Sequence, residues 1–158
     1  RMTPFGAQRT SRDVAWVAAQ SVLMSVLIAM GPLQPGDWHS PAGLIAGAVL
    51  LVASAVVGIA GVVHLGRNRT PFPSPRAGSI LIQHGIYAWC RHPLYTSVLL
   101  AGVAWTLLWQ SSWTLAVAVV QFPFFLAKSR VEEHRLRQVF PEYETYARRV
   151  KRFLPGVF

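Results

Sequence analysis

A chain of 158 residues suits a single domain, yet 53% of it is hydrophobic and only 13% charged, where soluble domains carry about a quarter charged residues. That balance points to a membrane protein. The lone cysteine, Cys90, excludes an internal disulfide framework and a multi-cysteine zinc site, while the net charge of +9 leaves the placement of the cations to decide for or against nucleic acid.

The first apolar segment runs over residues 14–33, with Ser11 as its expected cap. No series of basic, apolar and small residues marks a cleavable signal peptide, so this segment is expected to be retained. The second covers residues 41–65, with Ser40 as cap and Pro41 in the first turn, where its missing N–H costs nothing. "RNRTPFPSPRAG", residues 67–78, is too rich in proline for a helix and predicts an extended loop.

The third and fourth apolar segments, 94–109 and 113–127, are joined by "WQSSW", a tight turn that puts Trp109 and Trp113 at headgroup level. Each of the four approaches the roughly 20 residues, at about 1.5 Å rise, that cross a hydrocarbon core of about 30 Å. Pro123 should kink the fourth. Beyond Ala127 a charged helix is expected, with Leu136, Phe140, Tyr143, Ala147 and Val150 forming one apolar stripe. Pro141 divides it, so the tail should bend near Phe140 and fold back on the membrane face.

All 15 Lys and Arg fall on one side of this four-span arrangement, and the opposite loops, residues 34–40 and 110–112, hold none. That is the positive-inside pattern, with both termini cytoplasmic. It accounts for the charge without nucleic acid and leaves an attraction to anionic membrane lipids. The expected fold is therefore all-α: one polytopic membrane domain over 1–158, with four transmembrane helices and a cytoplasmic C-terminal helical segment. Residues 66–93 and 128–158 form its cytoplasmic region.

Three cytoplasmic pieces concentrate polar chemistry: "GIYAWCRHPLYTS" at 85–97, "KSRVEEHR" at 128–135, and "FPEYETYARR" at 140–149. Glu132 and Glu133 lie about a turn past the apolar end of the fourth span and need partners there, with Arg91, Lys128 or Arg130 in reach. Taken singly, each residue has a plainer reading. Arg130 and His134 suit a solvated helix face, His92 a helix start, His64 a satisfied interfacial histidine, and Tyr143 and Tyr146 interfacial aromatics. There is no glycine-rich dinucleotide loop, Walker loop, H-E-x-x-H or Ser-His-Asp arrangement, and no metal site is expected. A non-catalytic membrane haem or quinone carrier using His64, His84 and His92, or a scaffold protein, is the alternative reading.

"GIYAWCRHPLY", an apolar hairpin, then "RVEEHRLRQVFPEYETYARRVKRFLP" resembles the isoprenylcysteine carboxyl methyltransferase family and its prokaryotic relatives, akin to the phospholipid methyltransferases. The resemblance covers about residues 65–155. It implies an integral membrane methyltransferase, in a prokaryotic cell membrane, that uses S-adenosyl-L-methionine and a lipophilic acceptor from the bilayer, with a carboxylate or thiol of isoprenoid type foremost. By position, the cofactor contacts fall on Ser79, Ile80, Leu81, Ile82, Tyr87, His92, Pro93, Leu94, Tyr95 and Glu132. Lys128 matches the acceptor-binding basic residue, which is arginine in the eukaryotic enzymes. Pro141 stands where the family usually has glycine, and Cys90 where it has a bulkier apolar residue. Arg91 and Glu132 are expected at the reaction centre, with Glu132 holding the cofactor's amino group or positive charge and Arg91 bracing Glu132 or the cofactor carboxylate. The rings of Tyr87 and Tyr95 would pack on adenine or the sulfonium.

Overall fold

A computed structural model describes residues 10–75 and 78–156; Arg1, Arg9 and Arg76, which the charge pattern also uses, lie outside them. Helices α1 (Ser11–Leu33), α2 (Pro41–Leu65), α3 (Pro93–Trp109), α4 (Ser112–Val139) and α5 (Tyr143–Arg149) make up the fold, with single 3₁₀ turns at Gly66–Asn68 and Gly85–Ala88. The first four run alternately up and down.

The α1 cap is Thr10, one residue before the expected Ser11. Its side chain accepts from the Asp13 N–H while the Asp13 carboxylate accepts from the Thr10 N–H, a reciprocal pairing that begins the helix three residues early. Ser40 and Pro41 begin α2 as their residue types require. At this end of the bundle the two short loops are pinned together. The Gln110 amide bonds the Ser40 backbone in both directions, at 2.7 and 3.1 Å, and the Asp37 carboxylate accepts from the Ser112 N–H at 3.2 Å.

Three helices, α1, α2 and α4, are long and apolar enough to cross a membrane; α3 has 17 residues and is shorter. The expectation of four full-length spans is corrected to that extent. Pro93 can only open α3, because its ring excludes a preceding turn, and Gln110 ends it in a left-handed conformation at φ 53°. The fourth segment differs in the other direction. Nothing interrupts it at Ala127, so α4 continues as one helix to Val139, with Pro123 inside it.

Helices α2 and α3 form the most extensive helix pair. The buried α2 residues are Gly47, Ser54 and Gly61, seven apart, and a Cβ on Gly61 would stand 2.9 Å from Leu94. Small side chains let backbones approach where no water drives apolar surfaces together. Ser54 adds a bond to the Ser97 carbonyl at 2.8 Å.

The α1–α4 seam is polar instead. On α4, Gln121, Lys128 and Arg135 recur every seven residues, meeting Met24, Gln20 and Asp13 of α1 in turn. Beyond α4 the chain turns at Phe140–Glu142, and α5 folds back as the stripe predicts. Tyr143, Tyr146 and Val150 are buried together against Leu81, Leu136, Phe140 and Ala147.

Candidate functional site: a pocket where loop, helix starts and tail converge

The site is assembled around the start of α3. Gly85 has φ +61°, and a Cβ there would lie 2.0 Å from the His64 ring, so only glycine lets this turn close against α2. The turn carries Tyr87, whose hydroxyl lies 3.4 Å from the Gly61 carbonyl. The C-terminal tail supplies the other border. Carbonyls of Lys151 and Arg152 accept from the N–H groups of Arg91 and His92 at 2.9 and 3.0 Å, and the Thr96 hydroxyl meets the Phe153 carbonyl at 3.0 Å. The tail is thus a strap across the residues that lead into α3.

A pocket of about 830 Å³, including its open mouth, lies between these parts. One wall is the non-helical strip Ser79–Ile82. Asn68 fixes it by bonding both the N–H and the carbonyl of Ile80, at 3.3 and 3.1 Å. Loop residues Thr70, Phe72 and Ser74 form a second wall, and Tyr87, Arg91, His92, Leu94 and Tyr95 a third. Glu132 from α4 and Tyr143 and Tyr146 from α5 complete it. Of the residues expected to hold the cofactor, only Pro93 is absent from the lining. It is buried in the first turn of α3, where its role is to start the helix.

Within the pocket the Tyr95 hydroxyl donates to Glu132 Oε2 at 2.7 Å, and the Tyr95 ring stacks on His92, with planes 4° apart. His92 Nδ1 is 3.8 Å from the same carboxylate oxygen. Tyr146 donates to the Tyr87 carbonyl at 2.7 Å. Burial raises the Tyr87, Tyr143 and Tyr146 hydroxyls above the ordinary tyrosine range, so all three are neutral phenols at neutral pH. Two buried polar atoms of lining residues, the Tyr143 hydroxyl oxygen and Arg91 Nε, have no partner. Such atoms are costly when left unmatched.

Arg91 does not brace Glu132. Its Nη2 lies 3.2 Å from Glu133 and its Nη1 donates to the Ala147 carbonyl at 3.0 Å, so the ion pair expected for the "EE" segment forms with the second glutamate. Glu133 is fully buried and is gripped by Arg152 through two bonds of 2.9 and 2.8 Å. That carboxylate in turn holds the Arg152 guanidinium charged beyond its usual range. Arg130 and His134 are exposed, in keeping with a solvated face.

Lys128 does not line the pocket. Its ammonium is buried, bonded to Gln20 and, at 3.1 Å, to the Pro71 carbonyl, and lies 5.6 Å from the centre of the Tyr95 ring. Among the histidines of the alternative carrier reading, His64 and His84 have ring centres 6.0 Å apart, while His92 is committed to Glu133 at 3.1 Å. Among the described residues no three His, Cys, Asp or Glu side chains group as metal ligands.

Sequence reasoning named Glu133 only as a carboxylate in need of a partner and Tyr143 and Tyr146 only as interfacial aromatics, and it passed over Asn68 and Arg152. Tyr143 stood within the recognised stripe, but which stripe residues also face a cavity depends on what packs opposite. No local pattern separates Glu133 from Glu132, since adjacent helix positions differ by about 100° in direction.

Residues 42–143 match the phospholipid methyltransferase family. The chain belongs to that family. Among curated relatives of this phospholipid methyltransferase family member, a cobalt-zinc-cadmium resistance protein of Cupriavidus metallidurans is 32% identical over 76% of this chain and 52% of its own length. A nickel-cobalt-cadmium resistance protein of Alcaligenes xylosoxydans xylosoxydans is 31% identical over 89% of this chain and 62% of its own. A probable protein-S-isoprenylcysteine O-methyltransferase of Oryza sativa subsp. indica is 39% identical over 49% and 41%. The chain thus spans about half the length of the curated relatives it matches. The fold matches the eukaryotic intramembrane Ras methyltransferase, an isoprenylcysteine carboxyl methyltransferase, with a TM-score of 0.66 at 18% identity, over 96% of this chain and 55% of that one. The isoprenylcysteine methyltransferase-like family expected from the sequence is borne out, as is an integral membrane protein.

Proposed function

We propose that this protein is a membrane methyltransferase that takes its methyl group from S-adenosyl-L-methionine and passes it to a lipophilic acceptor reaching the site from the bilayer. The observation that carries the reading is convergence. Residues scattered over 79–95 and 132, which the family resemblance names for one cofactor, line one pocket.

The donors present suit that cofactor. Glu132, with one oxygen committed to Tyr95, offers its other to an amino group or a positive charge. Apolar Ile80, Leu81 and Leu94, with the Tyr87 ring, suit a flat base, and the unmatched Arg91 Nε and Tyr143 hydroxyl suit a carboxylate or sugar oxygen. When bound, the cofactor would supply a sulfonium methyl for in-line displacement by an acceptor oxygen or sulfur. The chain's own task is to hold the two in line and exclude water. The strap of residues 150–153 and the loop 70–75 serve that task. A carboxylate or thiolate of isoprenoid type needs no base for this displacement. Lys128, in the seam behind Tyr95, would attract its negative charge as a point charge rather than by a planar fork.

The one-sided cations support both termini being cytoplasmic, which would put the pocket at the cytoplasmic face. The test is direct. Detergent-purified protein incubated with methyl-labelled cofactor and a panel of lipophilic acids, thiols and amines should yield a labelled lipophilic product by mass spectrometry. Label recovered in no member of the panel would defeat the reading of the acceptor, and no binding of the cofactor by calorimetry would defeat the whole.

A further inference from the structure

Glu133 is the most heavily coordinated side chain of the cytoplasmic region, yet it does not line the pocket. It is 0% exposed and lies beside the Arg91, Arg137 and Arg152 guanidiniums at 3.2, 3.7 and 2.8 Å. Its fourth neighbour is His92 Nε2, 3.1 Å from Oε1. A carboxylate facing three permanent cations stays ionised and can only accept hydrogen bonds. The proton shared with His92 therefore belongs to Nε2, and Nδ1 is the nitrogen left on the Glu132 and Tyr95 side of the ring, within the pocket.

We propose that Glu133 is a positioning residue of the site, fixing His92 as the Nε2–H form with Nδ1 presented to the pocket, and locking the C-terminal strap to the start of α3 through Arg152. Each bond has a distinct consequence. The contact with His92 sets which ring nitrogen meets the ligand. The contact with Arg91 holds that guanidinium against the Ala147 carbonyl, with Nε buried and unmatched. The two-pronged bond to Arg152 anchors a strap that is also tied by backbone bonds to Arg91 and His92 and by the Thr96 hydroxyl to the Phe153 carbonyl. Glu133 thus orients two adjacent pocket groups, Arg91 and His92, and anchors the tail, without touching the ligand. The proposal rests on the reading of the pocket as a cofactor site.

Two measurements test it. In ¹⁵N-histidine-labelled protein in detergent at neutral pH, with His92 assigned by comparison with His92→Gln, the neutral His92 ring should carry its proton on Nε2; a proton on Nδ1 would overturn the proposal. Calorimetric titration with S-adenosylhomocysteine should show affinity about tenfold weaker or worse in the charge-balanced Glu133→Gln/Arg152→Gln double variant at unchanged helix content. Wild-type affinity in that folded variant would also overturn it. Should the double variant fail to fold, Glu133→Asp decides, since it keeps the charge and shortens the reach: weaker binding supports positioning, unchanged binding defeats it. If the wild type itself fails to bind, the reading of the pocket falls and the ring-proton measurement alone decides the role of Glu133.

Discussion

Glu132 and Glu133 are neighbours in sequence with opposite surroundings. Glu132 is partly exposed in the pocket and bonded to one tyrosine, while Glu133 is sealed behind it among three arginines. Glu132→Ala should therefore lower cofactor affinity by about tenfold, a charge-assisted bond's worth, with little change in melting temperature; calorimetry and thermal unfolding in detergent separate the two. Gly85 makes a sharper claim. Any side chain there meets His64 at 2.0 Å and must also adopt φ +61°, so Gly85→Ala should destabilise by about 2 kcal/mol or more, read as a lowered midpoint of thermal unfolding. The buried phenols of Tyr87, Tyr143 and Tyr146 set an alkaline limit. Unfolded, they ionise from about pH 10; folded, burial holds them protonated higher, so the unfolded state releases protons first and stability falls as pH rises past 10. Phenolate absorbance should accordingly appear together with loss of helix rather than before it.

At the scale of elements, the structure ties the proline-rich loop to the helices through few but buried groups. Asp13 accepts from Arg135 and, at 2.9 Å, from the Ser74 hydroxyl, so one carboxylate joins the start of α1, a pocket wall and α4. Asp13→Ala should cost about 2 kcal/mol, because it removes charge-assisted bonds to the partly exposed Arg135 and to Ser74, and should speed proteolysis near residues 70–75; unchanged cleavage would show that the loop is held elsewhere. The helices themselves were largely legible. Ser40–Pro41, Pro93 and the 136–150 stripe carry local signals, and each appears where those signals place it. The α1 start and the α4 end were not. Thr10 and Asp13 cap through a mutual bond that a single-residue preference misses, and Ala127 marks a change in solvent rather than in backbone, so the helix passes through it.

For the molecule as a whole, the one-sided cations make the prediction. In a Cys90→Ala background, Arg130→Cys should be labelled by an impermeant maleimide only from the cytoplasmic side, and Ser112→Cys only from the other; the reverse would invert the assigned topology. Apolar length, charge placement and helix-stop residues are one-dimensional properties, and they suffice for an all-helical membrane chain and for its helix order. Which groups meet is a property of packing. Direction around a helix turns by about 100° per residue, so only the closure of α5 and the tail against α3 and α4 decides that Glu132 faces the pocket and Glu133 the arginines. The same closure sends Lys128 into the α1 seam and makes Tyr143 and Tyr146 pocket walls, because each side chain's surroundings are supplied by segments distant in sequence.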